Sequence, residues 1–261
     1  MMTKIILYVL VILTANTIGA VSGMGGGIII KPALQIFNWD SVLTINFYSS
    51  IAVFTMAVSS TWKQLTAKNH VSKTEVVELS LGSVLGGVAG DISFSWFYSQ
   101  VGDDISVVAQ MLLVIVSLIV SLLFSSGHIK PRHLSGMPMM IGTGLGLGWL
   151  ATVLGIGGGP INIACLLFLF GFGIRQATIY SIVTIFFSQA AKIVQAFFSG
   201  NIQMIDPFLV LAVMVAALFG GWLGAMISNH ITEKSILILY NLVIVFVLLL
   251  DIVNMVSYLV K

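Results

Sequence analysis

The sequence predicts an all-α polytopic membrane protein. It has two related halves of about four hydrophobic elements each, read as inverted repeats, and each half opens on a glycine-broken helix. Three observations predict it. Of 261 residues, 58% are hydrophobic and only 8% charged, with a mean hydropathy of +1.10. A soluble domain of that composition has too few charges to cover its surface. The run Gly23-Met24-Gly25-Gly26-Gly27 recurs as Gly155-Ile156-Gly157-Gly158-Gly159, each inside a long apolar stretch. The offset of 132 that carries Gly23 onto Gly155 also carries Val21 onto Val153, Leu34 onto Leu166, Tyr48 onto Tyr180, Ser49 onto Ser181, Phe54 onto Phe186 and Asn69 onto Asn201. Two further residues of shift pair Gly86-x-x-x-Gly90 with Gly220-x-x-x-Gly224.

The first repeat occupies 1–126. A broken segment covers 4–37, and helices follow at 41–63, 75–98 and 105–125. The second repeat occupies 134–261, with a broken segment at 134–172 and helices at 175–198, 206–228 and 234–259. Each unbroken stretch is long enough to cross about 30 Å of hydrocarbon. The N-terminal run, Lys4 and then Ile5 to Leu13, has the look of a signal peptide. Its internal counterpart in the second half argues instead for a structural element.

Charge sets the orientation. Lys63, Lys68 and Lys73 flank one loop, Asp103 and Asp104 mark the next, and Lys130 and Arg132 join the halves. The loop at 199–206 carries Asp206 and no lysine or arginine. Basic loops face the cytoplasm, so the 63–73 loop lies inside and its counterpart outside. Asp40 against Arg175, ahead of the second element of each half, points the same way. An even number of crossings per half forbids such inversion. Each broken segment is therefore read as a hairpin that enters and returns, leaving three full spans per half. This places Lys4 outside, against the charge rule.

Each glycine costs a helix about 1 kcal/mol relative to alanine, so four in five positions break it. The second piece then starts with unpaired N–H groups and about half a positive charge, and glycine lets an anion approach that backbone. Paired breaks of this kind mark the central binding site of a carrier. The candidate site glycines are Gly23, Gly25, Gly26, Gly27, Gly155, Gly157, Gly158 and Gly159. Pro160 fits the first turn of a new helix. The Gly86 and Gly220 motifs read as helix packing.

Polar residues inside the spans extend the candidate list. Lys192 has Gln189 three residues before it and Gln195 three after, a polar stripe suited to an anion or a water path. Its repeat counterpart is Ser60. The recurring pairs Tyr48-Ser49 and Tyr180-Ser181 offer hydroxyl donors, and Asn162, Asn46, Ser50 and Thr184 are further candidates. Lys31 either neutralises an anion or pairs within the protein. Asp91 and Asp251 are candidates for proton relay. Trp39, Trp62, Trp96, Trp149 and Trp222 suit interfacial anchoring or packing. Cys165 reads as a small buried hydrophobe. His70, His128, His133 and His230 fall in predicted loops, with no metal-ligand spacing and no cofactor implied. The net charge of +2 gives no reason to expect nucleic acid. No GxxxxGK[ST], GxSxG or HExxH is present, so neither ATP hydrolysis nor an intramembrane enzyme is read from the chain.

The paired glycine runs resemble those of the TauE/SafE-type sulfite exporter family, also called the 4-toluene sulfonate uptake permease family. Its members have a GxGGG-x-x-x-x-P type motif early in each half. The first half here matches through Pro32, whereas the second carries Ala164 at that place. The resemblance covers essentially the whole chain. It implies a carrier in the cytoplasmic membrane that moves sulfite, a sulfonate or another small sulfur-containing anion, mostly outward, and it carries the eight glycines over as site residues. An anion channel, or a carrier for a non-sulfur organic anion, is the alternative. The partners implied are the anion and the bilayer; a coupling proton or sodium ion and the oligomeric state stay open.

Overall fold

The computed structural model describes residues 2–37, 39–66, 71–126, 129–198 and 206–259. Among them are nine helices and no strand: α1 (Met2–Ser22), α2 (Gly27–Phe37), α3 (Val42–Thr66), α4 (Lys73–Ser125), α5 (Met137–Leu154), α6 (Gly159–Phe170), α7 (Ile174–Phe198), α8 (Pro207–His230) and α9 (Glu233–Leu259). Seven of these are long and apolar enough to cross a membrane. Large apolar side chains such as Leu85, Ile92, Leu211, Phe219, Phe246 and Leu249 face outward, as a lipid solvent requires.

At 53 residues α4 would run about 80 Å if straight, more than twice the hydrocarbon thickness. It breaks at Gly102, whose φ of 77° and ψ of −171° belong to glycine almost alone. Its two arms fold back on each other. Gly90 lies against Thr152, and past the break Gln110 Nε2 donates to the carbonyl of Val153 at 2.6 Å. The two helices predicted at 75–98 and 105–125 are these arms.

Both glycine-broken segments are hairpins. Lys4 near the start of α1 pairs with Asp40 just beyond α2 at 2.8 Å, and the Tyr8 hydroxyl donates to the same carboxylate. In the second hairpin, the N–H groups of Arg132 and Leu134 ahead of α5 donate to Phe168 and Leu169 near the end of α6, at 2.8 and 2.7 Å. The start and finish of each segment therefore lie at one end of the molecule. Lys4 sits at the end that also holds Asp40, Asp103 and Asp206, since Val42 N–H donates to Asp103 and Asp206 N–H donates to Tyr48. Its ion pair with Asp40 accounts for a lysine at an acidic end.

Each hairpin packs on the other half. A β-carbon on Gly82, Gly86 or Gly90 of α4 would fall 2.1, 2.1 and 2.7 Å from the carbonyls of Ile141, Leu145 and Trp149 on α5. Gly220 and Gly224 of α8 press likewise on Leu13 and Thr17 of α1, at 2.8 and 2.4 Å. Small residues let helix backbones approach this closely. All five tryptophans are exposed; Trp149 donates to Ser93 and Trp39 stacks on Phe37.

Candidate functional site

The two glycine breaks meet. A β-carbon on Gly27 would lie 2.4 Å from the carbonyl oxygen of Ile156, and one on Gly159 only 1.5 Å from that of Met24. The offset of 132 exchanges these two contacts, so they form a reciprocal pair. The neighbours follow the same rule. Val53 of α3 and Ile185 of α7 both flank Gly25 and Gly157, Thr178 presses on Gly23 as Asn46 presses on Gly155, and Phe54 stacks on Phe186 at 5.2 Å between ring centres.

Local sequence makes the breaks. Gly23 and Gly25 adopt φ of 76° and 73°, and Gly155, Gly157 and Gly158 adopt 68°, 79° and 72°, values that side chains resist. Gly155 ends α5 by donating its N–H to Thr152, and Pro160 opens α6 where no N–H partner is needed. Gly26 and Gly27 have no such φ; they are small because Asn16 and Ile156 leave no room, at 2.0 and 2.4 Å. Helices α2 and α6 both begin at this contact and run back toward opposite ends. Their positive N-termini therefore converge on one small volume.

Polar groups without partners surround it. Both amide atoms of Asn16 and of Asn162 lack a hydrogen-bond partner, as do Asn46 Oδ1, Ser49 Oγ and Thr178 Oγ1, and all five residues are buried. A buried unsatisfied polar group costs about 1–3 kcal/mol, a cost that a polar ligand at this cluster would offset. Asn16 Oδ1 faces Gly26, Asn162 Oδ1 would lie 3.0 Å from a β-carbon on Gly158, and Ser49 Oγ faces Gly27.

The other candidates divide. Ser181 lies at the breaks, but its hydroxyl donates to Gly23 at 2.8 Å. Ser50 and Thr184 donate to their own helices. The hydroxyls of Tyr48 and Tyr180 reach the two ends instead. Tyr48 accepts from Asp206 N–H at 3.3 Å, while Tyr180 accepts from Ser72 N–H at 3.1 Å and donates to Glu75. Each tyrosine thus meets the residue just before the first turn of a helix in the opposite half. Lys31 is paired within the protein, donating to Gln110 Oε1 and to the Leu154 carbonyl at 2.8 Å, the last turn of α5. Gln189 and Lys192 lie one and two turns beyond Ile185, both buried. His230 closes α8, His133 lies beside Gly171, and His70, His128, Asn69 and Asn201 fall outside the described residues.

Asn16, Thr178 and Gln110 escaped the sequence reading. The repeat offset pairs Thr178 with Asn46, and Asn16 stands in an apolar helix two turns before Gly23; both signals are in the chain. Gln110 has no such signal, since its role is to join Lys31, Asn46 and Val153 across three other helices.

A family model described as "Sulfite exporter TauE/SafE" matches residues 8–250, both breaks included. The chain belongs to the TauE/SafE sulfite exporter family. It is a multi-pass cell-membrane protein of a transporter family. A relative from Bacillus subtilis (strain 168), named "Probable membrane transporter protein YunE", is 26% identical over 269 residues, covering 94% of this chain and 96% of its own. TauE/SafE membership and the converging half-helices agree in kind, since a discontinuous helix pair is how many carriers build a central site.

Proposed function

We propose that this TauE/SafE protein is a secondary transporter that exports a small sulfur-containing anion, sulfite or an organosulfonate, by alternating access. The anion binds at the midplane between two inverted repeats, residues 1–126 and 134–261, against the N-termini of α2 and α6. One observation carries this reading: the reciprocal contact of the two breaks, ringed by the unpartnered amides of Asn16 and Asn162. Two helix N-termini supply partial positive charge without a fixed counter-ion, and amide and hydroxyl donors complete the shell of a compact oxyanion. A hairpin and three long spans in each half support the inversion, because an odd number of crossings turns the second half over. The end bearing Lys73, Arg132 and Arg175 faces the cytoplasm in this reading.

Binding of sulfite, sulfoacetate, thiosulfate and sulfate to the purified protein tests it. The expected result is saturable binding of at least one of them, weakened about tenfold in Asn162→Ala as a buried donor is lost, with the variant still monodisperse. A folded wild-type protein that binds none of the four overturns the sulfur-anion reading. In proteoliposomes, anion loaded on the far side should accelerate uptake. Flux that neither saturates nor responds to loading would make the protein a channel.

A further inference from the structure

Among the described residues two lysines are buried, and they differ in their partners. Lys31 is held by Gln110 and the Leu154 carbonyl, whereas the Lys192 ammonium has no hydrogen-bond partner, at 7% exposure. One turn earlier on α7, Gln189 is 1% exposed and its Nε2 also lacks an acceptor. These are two donors on one helix face, both out of water and both unused. A buried ammonium without a partner costs far more than a neutral group.

Their position follows from the packing of α7 on the first arm of α4. Ser83 donates to the Thr184 carbonyl at 2.6 Å, and a β-carbon on Gly87 would lie 2.8 Å from the Ser188 carbonyl. The two helices thus run parallel and in step. One more turn brings Asp91 to the level of Lys192. Among the described residues no salt bridge joins the two. From Ile185, which flanks both breaks, Lys192 lies seven residues farther along α7, about 10 Å. That direction leads toward the Asp40 and Asp206 end. The repeat offers nothing like it on the other side, where the offset of 132 places Ala57 and Ser60.

We propose that Lys192 and Gln189 form a second anion station on one side of the glycine breaks, with Asp91 as the carboxylate that faces Lys192 while the station is empty. The proposal rests on the carrier reading above and deepens it: the same class of oxyanion passes from helix N-termini to a full cation on its way to the Asp206 end. Asp91 competes with the cargo for Lys192, which keeps the cation from holding an anion permanently. At the matching level toward the opposite end, α3 carries Ala57 and Ser60 in place of Gln189 and Lys192. The two directions of travel are therefore unequal.

The test is the KM for exchange in proteoliposomes, measured with sulfite, sulfoacetate, thiosulfate and sulfate. Lys192→Met should raise KM about tenfold or more, as loss of a buried charge contact does, and Lys192→Arg should recover most of it. Asp91→Asn should shift KM the other way, to lower values, and that gain should vanish in the double variant Asp91→Asn/Lys192→Met. The opposite signs are what a structural ion pair does not produce. Transport by wild type with KM unchanged in Lys192→Met, or with both single variants shifted the same way, overturns the station and leaves the carrier standing. If Lys192→Met fails to fold, Asp91→Asn decides alone, and a KM unchanged or raised overturns the station. Wild-type protein that moves none of the four anions overturns the carrier reading, and the station loses its cargo with it.

Discussion

Gly27 meets Ile156 as Gly159 meets Met24, and the offset of 132 turns one contact into the other. The same offset carries Asn16 onto Gly148, Ile30 onto Asn162, Lys31 onto Ile163 and Ser60 onto Lys192. Around the breaks the halves share their backbone and differ in their polar side chains. The backbone contacts leave no room for change, since even one methyl group overlaps a carbonyl oxygen. Side chains one layer out meet no such limit, so each half carries polar groups that the other lacks. Repetition supplies the geometry of the breaks, and divergence supplies the polarity around them.

The largest effect is expected at the closest contact, between Gly159 and Met24. Gly159→Ala should cost about 3 kcal/mol or more, as overpacking against rigid backbone does, and Gly27→Ala should cost less because its neighbour lies at 2.4 rather than 1.5 Å. Thermal unfolding in detergent measures both; equal midpoints for wild type and Gly159→Ala would show that the breaks do not touch.

The hinges between the last two spans differ as well. The first half turns at Gly102 in a glycine-only conformation, whereas the second turns at Ile231 with φ of −95° and ψ of 161°, open to any residue. A β-carbon on Gly102 meets nothing within 4 Å, so Gly102→Ala isolates the backbone contribution, about 1–3 kcal/mol. The same unfolding assay reads it. A neutral result would mean that the two hinges are alike.

Replacing Asn162 by the residue its partner half carries, Asn162→Ile, removes an unpartnered buried amide. Stability should hold or rise, while anion affinity falls about tenfold if the amide is a ligand. Binding titration and unfolding on one sample separate the two effects. The smallest contrast lies between the matched serines. Ser181→Ala strips a hydrogen bond from the Gly23 carbonyl and should cost about 1 kcal/mol, while Ser49→Ala loses no partner and should cost nothing measurable. Equal losses would place a partner on Ser49.

Much of the fold is legible in the chain because its signals are local or periodic. Glycine clusters break helices wherever they occur, and Pro160 marks the restart of α6. The hairpin reading follows from counting charged loops, and the Lys4–Asp40 and Leu134–Leu169 contacts bring the start and finish of each segment together. The candidate site is legible in part. The glycines and Asn162 lie where the chain pattern puts them, but Tyr48 and Tyr180 point their hydroxyls to helix starts at the ends. A recurring Tyr-Ser pair announces a shared environment without saying which partner each hydroxyl finds.

Hydropathy, glycine conformation and internal similarity are properties of neighbours along the chain, so the membrane solvent, the helix breaks, the repeat and the family are legible there. Folding sets that each hairpin packs on the opposite half, that Lys31 is spent on Gln110 and the end of α5, and that Lys192 has no hydrogen-bond partner. Those outcomes depend on which groups lie across a helix interface. A buried charge takes its meaning from the partner it meets there, and the residue that meets Lys31 and the one level with Lys192 stand some eighty to a hundred positions away in the chain, Gln110 for one and Asp91 for the other.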